Sequence, residues 1–195
     1  MTHILSIDTG KSNGLALGYF DDAHPYQLVK GWQFLGGPRG LSNWIKDHRQ
    51  EHREDVPGDH WWDFETLTLP GSDIAICSEK FVPVPGKGFS QGLDSTLPLV
   101  CEGVLIALGV MPDYPDPRWR RPASMYQYAG DTLQRKKKLS RMFLREKGLY
   151  MFPKELGQPD NNDFVSAVLH GLAYTAKVLK HKPTFDMITE WEPGE

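Results

Sequence analysis

Residues 4–20 read "ILSIDTGKSNGLALGYF": an apolar run closing on Asp8, a polar turn holding Gly10 and Asn13, and a second apolar run from Gly14. Each run has the length and apolar content of a strand, and the Gly-containing turn folds one back on the other. A third strand is predicted over residues 26–36, "YQLVKGWQFLG", completing an antiparallel meander of three. Asp8 thus stands where a buried strand ends. A turn Asp ahead of Gly10 would be ordinary there, and so would a ligand.

Outward from the meander, residues 40–54 show weak helical periodicity, and residues 55–73, "DVPGDHWWDFETLTLPGSD", have no assignable structure. "IAICSEKFV" (74–82) has the length and flanks of a buried strand. Residues 80–94 are rich in Gly and Pro and read as a functional loop. "STLPLVCEGVLIALGV" (95–110) is apolar nearly all round, so a helix buried on several sides is expected. A strand over 120–130, a basic helix over 136–148 closed by Gly148, and a helix over 163–180 with the stripe Val165, Val168, Leu169, Leu172, Ala176 and Leu179 complete the order. This is an α/β pattern with a mixed sheet and helices packed on it. One domain over residues 1–182 is expected, with 183–195 a peripheral tail.

The chain has 195 residues, 39% of them hydrophobic and 24% charged, which supports one substantial core. Its two cysteines, Cys77 and Cys101, lie far apart in apolar stretches, as buried thiols of a reducing compartment do. The longest apolar run contains Glu102 and is too short for a membrane span, and the N-terminus lacks a signal pattern. Cytoplasmic residence without membrane association is expected. The net charge of −3 hides an asymmetry. Residues 118–147 hold ten of the 22 Lys and Arg but only two of the 25 acids. Such a block suits a polyanion, although a charge run is also the ordinary solvated face of a helix.

Four acids then fall into one pattern. Asp8 ends the first strand, Glu79 ends the strand from residue 74, and "PDNNDF" puts Asp160 and Asp163 at a helix start. Asp160 or Asp163 alone reads as a helix cap, whereas Glu79 gains nothing from burial. If the two strands are neighbours, the four acids converge, and their mutual repulsion calls for a hard divalent cation bound through oxygen. Asn161 or Asn162 offers an alternative oxygen to Asp160. His170 reads as a structural helix residue.

These segments together resemble the RuvC family of Holliday-junction resolvases, within the RNase H-like superfamily, and most of all its divergent phage members. The resemblance runs from Thr2 to about Lys180 through short motifs. It implies an RNase H-like mixed five-stranded sheet, a three-strand antiparallel meander plus parallel strands, flanked by helices. It also implies catalytic, metal-binding roles for Asp8, Glu79, Asp160 and Asp163. Two Mg²⁺ ions about 3.5–4 Å apart, replaceable by Mn²⁺, would promote in-line water attack on a phosphodiester, leaving 5′-phosphate and 3′-hydroxyl ends. The implied substrate is a four-way or otherwise branched DNA, cut by a homodimer built on the 95–110 helix. Two departures stand out: the insertion "DHWWDFETLTLPG" (59–71), and Phe164 where the family usually has Ala.

Nucleic-acid contacts are expected from Lys87 and Phe89 in the Gly/Pro loop, from Arg118, Arg120 and Arg121, and from Arg135, Lys136, Lys137, Lys138 and Arg141. An apolar plug is the plain reading of Phe89, and a solvated turn that of the arginines. The sequence does not choose which of Lys136, Lys137 and Lys138 approaches the scissile phosphate. Rival readings are a hybrid or flap nuclease on the same fold and a catalytically idle branched-DNA-binding module. An actin-like or sugar-kinase ATPase shares the opening motif but needs a second phosphate loop, and no such repeat is present.

Overall fold

The computed structural model describes residues 1–51, 60–65, 67–78, 96–113 and 133–192, with the side chains of residues 133, 134 and 136 excepted. The meander forms as predicted: β1 (Thr2–Asp8), β2 (Ser12–Phe20) and β3 (Gln27–Leu35). After α1 (Gly37–His48) and the short strands β4 (Arg49–Glu51), β5 (His60–Asp63) and β6 (Thr68–Pro70), β7 (Ile74–Ser78) returns to the sheet. The strand order is β3-β2-β1-β7, with β1 antiparallel to β2 and parallel to β7. Then follow α2 (Leu97–Ala107), α3 (Leu133–Glu146), α4 (Asn162–Ala173), a π-helical turn (Tyr174–Val178) and α5 (Lys182–Thr189). An antiparallel meander extended by a parallel strand, with helices on both faces, is a mixed α/β, RNase H-like arrangement. Four strands of this sheet lie among the described residues. The expected fifth, over 120–130, lies outside them, although Asp113 already bridges in parallel to Cys77.

Alternation along β1 sorts the core into two halves. Ile4, with Ala16 and Cys77, packs under α3, α4 and α5 against Phe143, Phe164, Val168 and Leu172. Leu5 and Ile7, with Leu15 and Leu17, face α1 and α2. A central strand covered on both sides is mostly apolar where buried: Ile4, Leu5 and Ile7 are fully buried, and Ser6 between them donates to the Ala16 carbonyl at 3.1 Å. Asp8 has the parity of Ile4 and Ser6 and so faces the α4 side.

Three expectations change. Residues 55–73 are not all irregular: β5 and β6 join β4 in a small antiparallel sheet, and Trp62 is fully buried against Trp44 and Phe64. The helix over 95–110 is covered on one side only: Cys101 and Leu105 are buried, while Leu99, Val100 and Ile106 are exposed. The residues from 183 on do not begin a peripheral tail, because α5 buries Thr184 and Ile188 and is followed by buried Trp191. Both cysteines are buried free thiols, as expected. Among the described residues no helix is long and apolar enough to cross a membrane.

Candidate functional site

The site is built where the C-terminal end of β1 meets the N-terminal end of α4. Close approach there depends on two glycines. A β-carbon on Gly14, which pairs with Asp8 across the hairpin, would lie 2.1 Å from the carbonyl carbon and oxygen of Asp163. A β-carbon on Gly31 of β3 would meet the Phe164 ring at the same 2.1 Å. Phe164 therefore occupies the space that Gly31 leaves, which explains how this chain accommodates a large ring there.

The start of α4 is capped from a distance. Gln33 on β3 accepts hydrogen bonds through Oε1 from the Asp163 and Phe164 amides (3.1 and 3.0 Å). Its Nε2 donates to the Asp160 carbonyl and Oδ1 (3.0 and 3.2 Å). Asp160 Oδ1 also accepts from the Asn162 amide at 3.0 Å. The orphan amides of the first turn are thus satisfied. Asp160 and Gln33 share the capping, and the Asp163 side chain takes no part in it. The Asn162 amide, helped by Gln33 and by the positive field of Arg141, holds the Asp160 carboxyl below the usual carboxylate range.

Asp163 behaves oppositely. Burial raises its pKa most, and the charges of Asp8 and Asp160 add to the rise, while the Ser12 hydroxyl and Lys137 pull it down. The Ser12 oxygen is buried without a hydrogen bond of ordinary geometry. His170, two helical turns beyond Asp163, places Nε2 3.6 Å from Asp8 Oδ1 and is almost fully buried. His170, read as a structural helix residue, is therefore also adjacent to Asp8. A seven-residue spacing from Asp163 returns it to the same helix face, a signal that the sequence did carry. Gln33, Gly14 and Ser12 had no such signal. Behind the acids, Asn13 anchors the turn: its Nδ2 donates to the Gly37 carbonyl at 2.8 Å and its Oδ1 accepts from the Gly10 amide at 3.4 Å.

Basic helix α3 runs alongside. Lys137 acts electrostatically on Asp163 and Arg141 on Asp160, and Arg141 also donates to Asn162 Oδ1 at 2.5 Å. Arg135, Lys137 and Lys138 are all exposed, and Lys138 lies about 100° around the helix from Lys137. Of the predicted residues, Asp163 feels the charges of Asp8, Asp160 and Lys137, and Asp160 that of Arg141. Glu79, Lys87, Phe89, Arg118, Arg120, Arg121 and the Lys136 side chain lie outside the described residues.

Among the described residues no three His, Cys, Asp or Glu side chains form a group able to hold a metal ion. The donor chemistry nevertheless suits one: carboxylates that repel each other, one of them half-buried. No protein-family model matches the chain, and no curated protein matches it in sequence. Among solved structures it is similar to "T. thermophilus RuvC in complex with Holliday junction substrate" at 13% identity, covering 90% of this chain and 93% of that one, with a TM-score of 0.49. It is also similar to "Thermus thermophilus RuvC structure" at 13% identity, covering 92% and 98%, with a TM-score of 0.46.

Proposed function

We propose that the protein is a metal-dependent, structure-selective endodeoxyribonuclease that hydrolyses phosphodiesters at four-way and other branched DNA junctions. The observation that supports this reading is the electrostatic coupling of Asp163 to Asp8, Asp160 and Lys137 where β1 ends beside the start of α4, with Arg141 acting on Asp160. Carboxylates alone would repel a phosphodiester, so the anionic corner makes sense with cations between it and the substrate. Asp8 and Asp163, with Asp160 and the sequence-predicted Glu79, would hold Mg²⁺ or Mn²⁺, two ions in the full site. Bound there, such ions supply a water nucleophile at neutral pH and charge stabilisation at the phosphate.

The chain's own groups supply orientation and charge. Gln33 fixes the start of α4 so that Asp163 keeps its place beside Asp8. His170 lines the inner side of the Asp8 carboxylate, with Nε2 3.6 Å from Oδ1. Lys137 and Arg141 offer cationic contacts to the phosphates flanking the cut. The exposed apolar stripe of Leu99, Val100 and Ile106 on α2 is the face proposed for a second copy, since two-fold symmetry would present two sites to opposite strands of a junction.

The test is cleavage of a labelled four-way junction beside linear duplex, flap and RNA·DNA hybrid, with Mg²⁺, Mn²⁺ or EDTA. Wild type is compared with Asp8→Asn, Glu79→Gln and Asp163→Asn. Paired nicks near the branch, ending in 5′-phosphate and lost with EDTA or with each substitution, are expected. Preferential cutting of hybrid or flap would replace the substrate, and metal-independent cutting would reject the site.

A further inference from the structure

The basic helix continues past the acids into a feature that the metal site does not use. Lys137, Arg141 and Arg145 recur every four residues and form one row along α3. The first two reach the acids. The third is held elsewhere: the Arg145 guanidinium lies over the Tyr150 ring at 4.6 Å and the Phe152 ring at 5.4 Å, and donates to the Tyr150 hydroxyl at 3.2 Å. Tyr150 and Phe152 meet edge to face, with centroids 5.2 Å apart. Phe152 is 54% exposed although it stands in a braced segment. Its amide donates to the Glu155 carboxylate, and the neighbouring Met151 carbonyl accepts from Asn161 Nδ2 at 2.7 Å, at the start of α4.

A single exposed aromatic ring is normal on a protein surface. A ring that is exposed, braced and crowned by a guanidinium at the end of a cationic row is a stacking platform. We propose that Arg145, Tyr150 and Phe152 form a nucleobase-binding ledge that takes an unpaired base of the DNA strand whose phosphates run along Lys137 and Arg141. The ledge rests on the nuclease reading above and adds a second point of contact on the substrate strand. From Lys137 to Arg145 the helix rises about 12 Å. At about 3.4 Å per nucleotide step of a duplex strand, the stacked base is three or four nucleotides from the cut. Flat rings and a guanidinium plane accept any base, so the ledge selects for an opened strand and not for sequence. That property suits a branched substrate, where bases beside the branch are free to unstack.

The test uses the full-length chain carrying Asp8→Asn, so that a four-way junction is bound but not cut. Junction affinity is read by fluorescence anisotropy for this parent and for Phe152→Ala, Phe152→Leu and Phe152→Trp. In parallel, a fluorescent base analogue is placed in turn at each position near the cut. The expected result is a loss of about 5- to 20-fold in affinity for Ala and for Leu, with recovery for Trp. Quenching of the analogue should peak three or four nucleotides from the cut and vanish in Ala and Leu. Because Phe152 is exposed, these variants should fold, which circular dichroism checks. Tight junction binding by the parent, with Ala and Leu binding and quenching equally, overturns the ledge and leaves the nuclease reading standing. A parent with no affinity for the junction removes both.

Discussion

The side-chain oxygen of Gln33 accepts the backbone amide of Asp163 at 3.1 Å, linking an edge strand to a helix start 130 residues later in the chain. One amide side chain thereby sets both the cap of α4 and the position of a carboxylate beside Asp8. Replacing Gln33 with Leu strands two first-turn amides and takes a donor from Asp160. A loss of about 1–3 kcal/mol in urea unfolding is expected, together with reduced junction cleavage. An unchanged unfolding midpoint would show that water replaces the cap without cost.

Gly14→Ala attacks the same corner from below. The new β-carbon meets backbone, not a mobile side-chain end, so α4 must shift. The expected cost lies at the upper end for overpacking, about 3 kcal/mol, and cleavage should fall further than stability because Asp163 moves with the helix. Wild-type melting behaviour in Gly14→Ala would mean that β2 and α4 do not approach this closely.

Burial and the neighbouring acids raise the Asp163 carboxyl, so in the metal-free protein the folded state holds this proton more tightly than the unfolded state. Its ionisation opposes folding: stability is greatest below the ordinary carboxylate range and declines as pH rises through the raised value. Asp163→Asn should therefore melt higher than wild type at pH 7 in EDTA, with the gap closing in acid. Added Mg²⁺ should raise the melting point of wild type and not of the variant. A destabilised Asp163→Asn in EDTA would contradict this ordering.

Among the described residues of the basic cluster, Lys137 is the one whose charge acts on Asp163. Lys137→Gln should lower the junction cleavage rate by about 10- to 100-fold, and Lys138→Gln by much less, since Lys138 lies about 100° around α3 from Lys137. Rates measured at saturating DNA separate this from general loss of binding. Equal effects would return both lysines to a diffuse basic surface.

Burial raises both thiols, Cys101 to about 11 and Cys77 further. Neither should react with a disulfide reagent at pH 8 in the native protein, and both should react promptly in denaturant. Fast labelling of either in native buffer would place it at the surface.

The parts of this protein that read out from sequence are those governed by local pattern. Residues 4–20 announce a hairpin because apolar runs flank a Gly-containing turn, and the α4 stripe repeats at helical spacing. The small β4-β5-β6 sheet did not announce itself, because its three- and four-residue strands are too short for periodicity and draw their stability from Trp62 packing on Trp44 and Phe64. The one-sided burial of α2 was equally hidden, since an apolar helix looks alike whether or not a neighbour covers it.

The meander, the carboxylate at the end of β1 and the acids at the start of α4 are legible without the fold, because strand alternation and helix starts are written in neighbouring residues. Only the tertiary structure decided that Gln33 caps α4, that Gly14 admits it, that His170 stands against Asp8 and that Lys137 and Arg141 face the acids. Those relationships join residues from 19 to 162 positions apart. What sets them is how the helices lie across the sheet, a property of packing that no local pattern encodes.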